Sequence, residues 1–94
     1  TAIFASNDDM AAGVMIAARE KKITLPADLA IAGFDNTPLS AQLWPTLTTI
    51  NQPVKQIGYT AAEVLFKTIQ KAELDEHTKL ACKPDYDLII RQST

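Results

Sequence analysis

The chain has 94 residues, 47% of them apolar and 21% charged, and a formal net charge of −2. That length holds one small domain or a piece of one, and the apolar share excludes low-complexity disorder. No apolar run approaches the roughly 20 residues of a membrane span, one cysteine excludes an internal disulfide, and the acidic balance speaks against nucleic-acid binding by this chain's own electrostatics.

Thr1-Ala2-Ile3-Phe4-Ala5 is apolar on both faces, the pattern of a strand buried on both sides in a parallel sheet. A chain that opens on such a strand, with no polar lead-in and no visible signal peptide, reads as cut from something longer. Ser6-Asn7-Asp8-Asp9 follows with short side chains that accept hydrogen bonds from free backbone N–H groups, so a helix is expected from about Asp8 to Lys22. Its acids stand at the start and Arg19, Lys21 and Lys22 at the end, as the helix dipole prefers. Met10, Val14, Ala17, Ala18 and Lys21 share one side. Gly13 costs roughly 1 kcal/mol against alanine inside a helix, which points to close packing on its face.

Ile23 to Asp28 is a turn, with Pro26 stopping any helix. Leu29-Ala30-Ile31-Ala32-Gly33-Phe34 is a second buried strand. Strand, helix, strand within about thirty residues is a βαβ unit, which implies a right-handed crossover and a parallel sheet. Thr37 and Pro38 open a short helix that must end before Pro45, because a residue preceding proline is pushed toward extended geometry. Leu47-Thr48-Thr49-Ile50 is β-branched and strand-like. A second long helix is expected over about Pro53 to Lys71, with Val54, Ile57, Ala61, Val64, Leu65 and Ile69 as its apolar stripe. Ala72 to Lys79 reads as a solvated turn, Lys79 to Cys82 as a strand entry and Tyr86 to Ile90 as a final strand, with a polar terminus after it.

In open parallel α/β sheets, ligands bind outside the carboxyl ends of the strands. That rule selects Ser6-Asn7-Asp8 and Asp35-Asn36-Thr37, which share one sheet edge. A carboxylate at Asp35 can accept from paired hydroxyls, and Asn7 can both donate and accept. Capping explains the same residues equally well, Asn7 on the helix and Asp35 on a turn. Asp8, in the first helical turn, reads as structural. No catalytic group emerges. His77 has no second ligand nearby for a metal, Cys82 beside Lys83 has no base, and the adjacent Asp8 and Asp9 diverge on a helix. Gly13, Gly33 and Gly58 have no phosphate-loop spacing, so neither a metal nor a cofactor is expected. Trp44 is open between core, interface and ligand stacking.

Several stretches line up in order with one family. Asn7-Asp8, Met10-Ala11 and Gly13 come first, then Leu25-Pro26, Gly33-Phe34-Asp35-Asn36-Thr37, Pro45, Leu47-Thr48-Thr49, Gln52-Pro53 and Gly58. The series, over nearly the whole chain, resembles the carboxyl-terminal part of the effector-binding domain of LacI/GalR bacterial transcription regulators. The resemblance implies an α/β fold, a partial Rossmann-like parallel sheet with flanking helices, as a fragment of a two-lobed periplasmic-binding-protein-like domain. It implies that residues 1–45 and about 84–94 belong to the carboxyl-terminal lobe and about 46–83 to the amino-terminal one.

The resemblance also implies a small-molecule effector, a sugar or sugar derivative, bound between the lobes in a cytoplasmic regulator. Asp35 matches the family's ligand-binding acid, Asn7 the asparagine that contacts ligand hydroxyls, and Gln52 a ligand-contacting position near the hinge. Leu39, Leu43 and Trp44 fall where such repressors form homodimers or higher homo-oligomers. Operator DNA would be bound through an amino-terminal helix-turn-helix domain that this chain does not contain. A periplasmic sugar-binding protein of a transport system is the alternative, since it shares the Asn-Asp and Gly-Phe-Asp markers. Pro45-Thr46-Leu47-Thr48-Thr49 and Gln52-Pro53 are more like the repressors.

Overall fold

In the computed structural model, which describes residues 1–70 and 85–94, strands and helices alternate. The elements are β1 (Ala2–Phe4), α1 (Asp8–Glu20), β2 (Ala30–Asp35), α2 (Pro38–Gln42), β3 (Thr48–Asn51), α3 (Val54–Ile69) and β4 (Asp87–Ile89). The readings made for the turn from Ala72 to Lys79, the strand entry from Lys79 to Cys82, His77 and Cys82 lie outside the described residues. Two compact units are formed: Thr1–Gln52 with Asp87–Thr94, and Pro53–Tyr86.

The first unit is built on one sheet of order β1-β2-β3-β4. β1 to β3 run parallel, as the βαβ pattern requires, with Ile3 opposite Ile31 and Gly33 opposite Thr49. β4 runs antiparallel to β3, with Asn51 opposite Asp87, so the sheet is mixed rather than wholly parallel. β3 therefore shares a sheet with β2. The compact units part at Gln52–Pro53 and Tyr86–Asp87. β1 is the outermost strand of the sheet that these residues form, and its side chains are exposed, Phe4 at 63%.

α1 packs on the sheet through Ala11, Ala12, Met15 and Ala18; on the side shared by Met10, Val14, Ala17, Ala18 and Lys21, Ala18 is buried and Val14 packs against the core, while Met10 is exposed. Ala5, Ala11, Met15, Ile31 and Leu47 form the core, with Val14, Leu25, Leu29 and Leu43 packed against it. The close approach lies at Gly33, not Gly13. A Cβ on Gly33 would stand 3.4 Å from the Ala11 methyl and 3.0 Å from a Leu47 methyl, whereas Gly13 faces open space among the described residues.

α1 ends two residues earlier than its charge pattern suggests. Lys22 adopts φ 59°. Its N–H donates to the Arg19 carbonyl and that of Ile23 to the Ala18 carbonyl. This is a Schellman cap with lysine where glycine is usual. The carboxyl terminus is also tied in. Ser93 is buried, its Oγ donates to the Ile31 carbonyl, and the Thr48 N–H donates to that same Oγ at 2.8 Å.

The second unit consists, among the described residues, of α3. An ion pair of Glu63 with Lys67, one turn apart at 2.9 Å, lies along it. Ile57 and Val64 of the expected stripe are half-buried, while Val54, Leu65 and Ile69 are exposed.

Candidate functional site

The three parallel strands end on one edge, and the turns that leave them meet there. Asn7 starts α1, and its Oδ1 accepts the Met10 N–H at 2.7 Å. This is the side-chain cap expected of an asparagine at that position. The Nδ2 of Asn7 has no hydrogen-bond partner among the described residues. Both readings of Asn7 thus remain compatible with its geometry: one end caps, the other is free to donate.

Asp35 ends β2 with φ 108°, and Asn36 follows with φ 52°. Two consecutive non-glycine residues in the left-handed region cost on the order of 1–3 kcal/mol each and persist only where surrounding contacts hold them. Those contacts are present. The Asn36 N–H donates to Thr49 Oγ1 at 3.2 Å, and the Thr37 N–H to Asp8 Oδ2 at 2.7 Å. Asn36 Nδ2 donates to Asn51 Oδ1 at 3.0 Å, while Asn36 Oδ1 accepts from Arg91 Nη2 at 2.8 Å. Arg91 Nη1 also donates to the Leu47 carbonyl and to Ser40 Oγ.

Gln52, just beyond β3, donates its Nε2 to Asp35 Oδ1 at 2.5 Å. The fold therefore brings together two residues 17 positions apart. Asp35 Oδ2 takes no hydrogen bond from the described residues. Asp35, Gln52 and Asn7 are all half-buried, open to a small molecule yet partly shielded from bulk water. The edge thus offers a carboxylate oxygen that accepts, an amide N–H that donates, and the Gln52 carbonyl oxygen. A hydroxyl both donates and accepts, so a polyhydroxylated ligand matches this set.

Asp8, which the sequence marks as structural, is fully buried. It accepts from Thr37 N–H, Thr37 Oγ1 and Thr49 Oγ1, and so joins the ends of all three parallel strands. Asn51 and Arg91 are not singled out by the sequence, and Thr49 only as a family marker without a role. Thr49 is a β-branched strand residue by sequence and Arg91 part of a polar terminus; neither pattern gives a role at the site. No cluster of His, Cys, Asp and Glu fit to hold a metal is present among the described residues.

Leu39, Leu43 and Trp44 lie on and after α2. Leu39 is half-buried, Leu43 packs against the core, and Trp44 is 85% exposed. Trp44 borders a groove of about 600 Å³ whose walls include Met15, Ile16, Arg19 and Leu43.

The model of the periplasmic binding protein-like domain matches residues 1–94. The ribose operon repressor of Halalkalibacterium halodurans is 41% identical over 93 residues, which is 98% of this chain and 27% of that protein. The crystal structure of the transcription regulator CcpA of Lactococcus lactis superposes with a TM-score of 0.86 at 30% identity, covering 100% of this chain and 34% of that one. A periplasmic binding protein/LacI transcriptional regulator from Alkaliphilus metalliredigens, solved with D-xylulofuranose, gives a TM-score of 0.77 at 36% identity, covering 99% of this chain and 34% of that one. The resemblance to LacI/GalR regulators carried by the ordered markers from Asn7 to Gly58 is thereby borne out. The chain spans about a third or less of each of these proteins, and by the match along its whole length it belongs to the periplasmic binding protein-like domain family.

Proposed function

We propose that this chain is part of the effector-sensing domain of a bacterial, cytoplasmic transcription regulator, and that its effector is a sugar or sugar derivative. The observation that carries this reading is the half-buried Asp35 carboxylate at the carboxyl end of a parallel strand, one oxygen bound by Gln52 and the other taking no hydrogen bond from the described residues. Asp35 accepts from ligand hydroxyls, Gln52 fixes the carboxylate and contributes its carbonyl oxygen, and Asn7 donates through Nδ2. The kinship with a ribose operon repressor and with a regulator solved with D-xylulofuranose supports a pentose-like ligand. It also favours regulation over transport.

In this reading the unit Thr1–Gln52 with Asp87–Thr94 belongs to the carboxyl-terminal lobe and Pro53–Tyr86 to the amino-terminal one. A ligand that binds the closed arrangement of lobes more tightly than the open one shifts the population between them. The shift is felt at operator DNA, bound through a helix-turn-helix domain elsewhere in the protein, with a coupling of about 1–3 kcal/mol. Leu39, Leu43 and Trp44 contribute to a homodimer, and the chain performs no catalysis.

The test is calorimetric titration of the full-length protein with D-ribose, D-xylulose and a panel of hexoses, alongside Asp35→Ala. Loss of a charge-assisted hydrogen bond costs about 1.5–3 kcal/mol, so the affinity of the bound sugar falls roughly ten- to 150-fold in the variant. Unchanged affinity in Asp35→Ala overturns the site.

A further inference from the structure

We propose that Thr49 is the positioning residue of the Asp35 site: its hydroxyl relays the buried Asp8 carboxylate to the Asn36 backbone N–H and holds the Asp35-Asn36 turn in its left-handed form. Its consequence for ligand affinity rests on the reading of Asp35 as the ligand-binding acid.

The argument starts from proton accounting. A hydroxyl has one proton to donate and lone pairs to accept. Thr49 Oγ1 lies 2.6 Å from Asp8 Oδ1, an acceptor, so the Thr49 proton points there. A lone pair then faces the Asn36 N–H at 3.2 Å. The next N–H, that of Thr37, reaches the other oxygen of the same carboxylate at 2.7 Å. Two successive backbone N–H groups after Asp35 therefore converge on Asp8, one directly and one through Thr49. These two residues are fully buried, so neither bond is exchanged for one to water at low cost.

The backbone geometry supplies the reason for such a device. Asp35 at φ 108° and Asn36 at φ 52° lie where a side chain is unfavourable. Released from its two anchors, the turn relaxes toward ordinary dihedral angles. The Asp35 carboxylate would then leave Gln52, its partner beyond β3. Thr49 stands opposite Gly33 in the parallel register, two residues before Asp35, which puts its hydroxyl beneath the turn. The Asn36 side chain, held by Asn51 and Arg91, secures the turn from a separate set of partners, so the Asp8 and Thr49 anchors act on the backbone itself.

The substitutions Thr49→Ser, Thr49→Ala and Thr49→Val in the full-length protein separate positioning from packing. Packing in a buried strand ranks valine above serine and alanine, because valine keeps the shape and favours strands. Positioning ranks serine above both, because serine alone keeps the hydroxyl. The first readout is hydrogen exchange of the Asn36 amide, which needs no ligand. We expect exchange about tenfold faster in the alanine and valine variants and near wild-type in the serine variant. The second readout is D-ribose or D-xylulose affinity by calorimetry, expected to follow the same order. Serine exchanging as fast as valine, or all three variants matching wild type, overturns the proposal. So does wild-type pentose affinity in Thr49→Val where Asp35→Ala has lost it. Should Thr49→Val fail to fold, the serine and alanine pair, which differ by the hydroxyl alone, decides in either direction. Pentose affinity that survives Asp35→Ala refutes the ligand site instead, and the exchange order still decides the role of Thr49.

Discussion

Asp8 Oδ1 occupies the space that a side chain on Gly33 would need: a Cβ built there would lie 2.5 Å from that oxygen. Gly33 sits in β2 in ordinary extended backbone, so this glycine serves close approach, not an unusual φ. The carboxylate it admits is the one that anchors Thr37 and Thr49.

Gly33→Ala is therefore expected to destabilise the protein by about 1–3 kcal/mol through overpacking, since Asp8 cannot retreat without breaking its bonds. Urea denaturation followed by circular dichroism measures this. Gly58→Ala, where nothing lies within 4 Å among the described residues, is the control, and alanine inside that helix should be neutral or stabilising.

Stability and binding should separate at Asp35. Glycine relieves the left-handed backbone at φ 108° while removing the carboxylate. We expect Asp35→Gly to melt no lower than Asp35→Ala and to lose sugar affinity to the same extent. A thermal melt and a calorimetric titration on the same samples check both halves.

Asn7 can be divided into its two functions. Serine keeps a capping oxygen for the Met10 N–H but lacks the amide that is left to donate. Asn7→Ser should hold thermal stability close to wild type yet weaken sugar binding. Asn7→Ala should lose about 1 kcal/mol of stability as well. Equal affinity in Asn7→Ser and wild type would reduce Asn7 to a cap.

At Trp44 the expected effect is on association. The side chain is 85% exposed, so Trp44→Glu should leave the unfolding midpoint of the isolated subunit nearly unchanged. A charge placed in an apolar interface should raise the dimer dissociation constant by at least about tenfold, roughly 1.4 kcal/mol. Sedimentation equilibrium over a concentration series measures it. An unchanged constant moves the interface away from this segment.

The elements were legible because their signals are local. Asn7 before an acid-led apolar run marks a helix start, and a strand, helix and strand in quick succession mark a parallel pair. The end of α1 was less legible, since the Schellman cap places lysine where glycine is the usual sign. Alanines on several sides of α1 leave its buried face open in the sequence, and in the fold Ala11 faces Gly33 of the sheet.

The site divides in the same way. Asp35 stood out because it follows a buried strand directly, and Asn7 because it opens a helix. Gln52 came through kinship alone, since its pairing with Asp35 depends on the register of β3. Asp8 reads as structural from its place in the first helical turn, but its partners, like those of Thr49 and Arg91, carry no local mark. Arg91 reaches Asn36 across 55 positions, and such distant pairing is fixed by topology rather than by neighbouring residues.

Asn51 pairs with Asp87 across antiparallel β3 and β4, so the chain departs from the first sheet and rejoins it at the same rung. A three-residue loop between the paired Asn51 and Asp87, with Gln52 as its first residue, would make β3 and β4 an ordinary hairpin. The sheet with its Asp35 site is in this sense severable: the segment from Pro53 to Tyr86 is a detour in the connectivity, and its excision would yield a shorter chain with the same strand order.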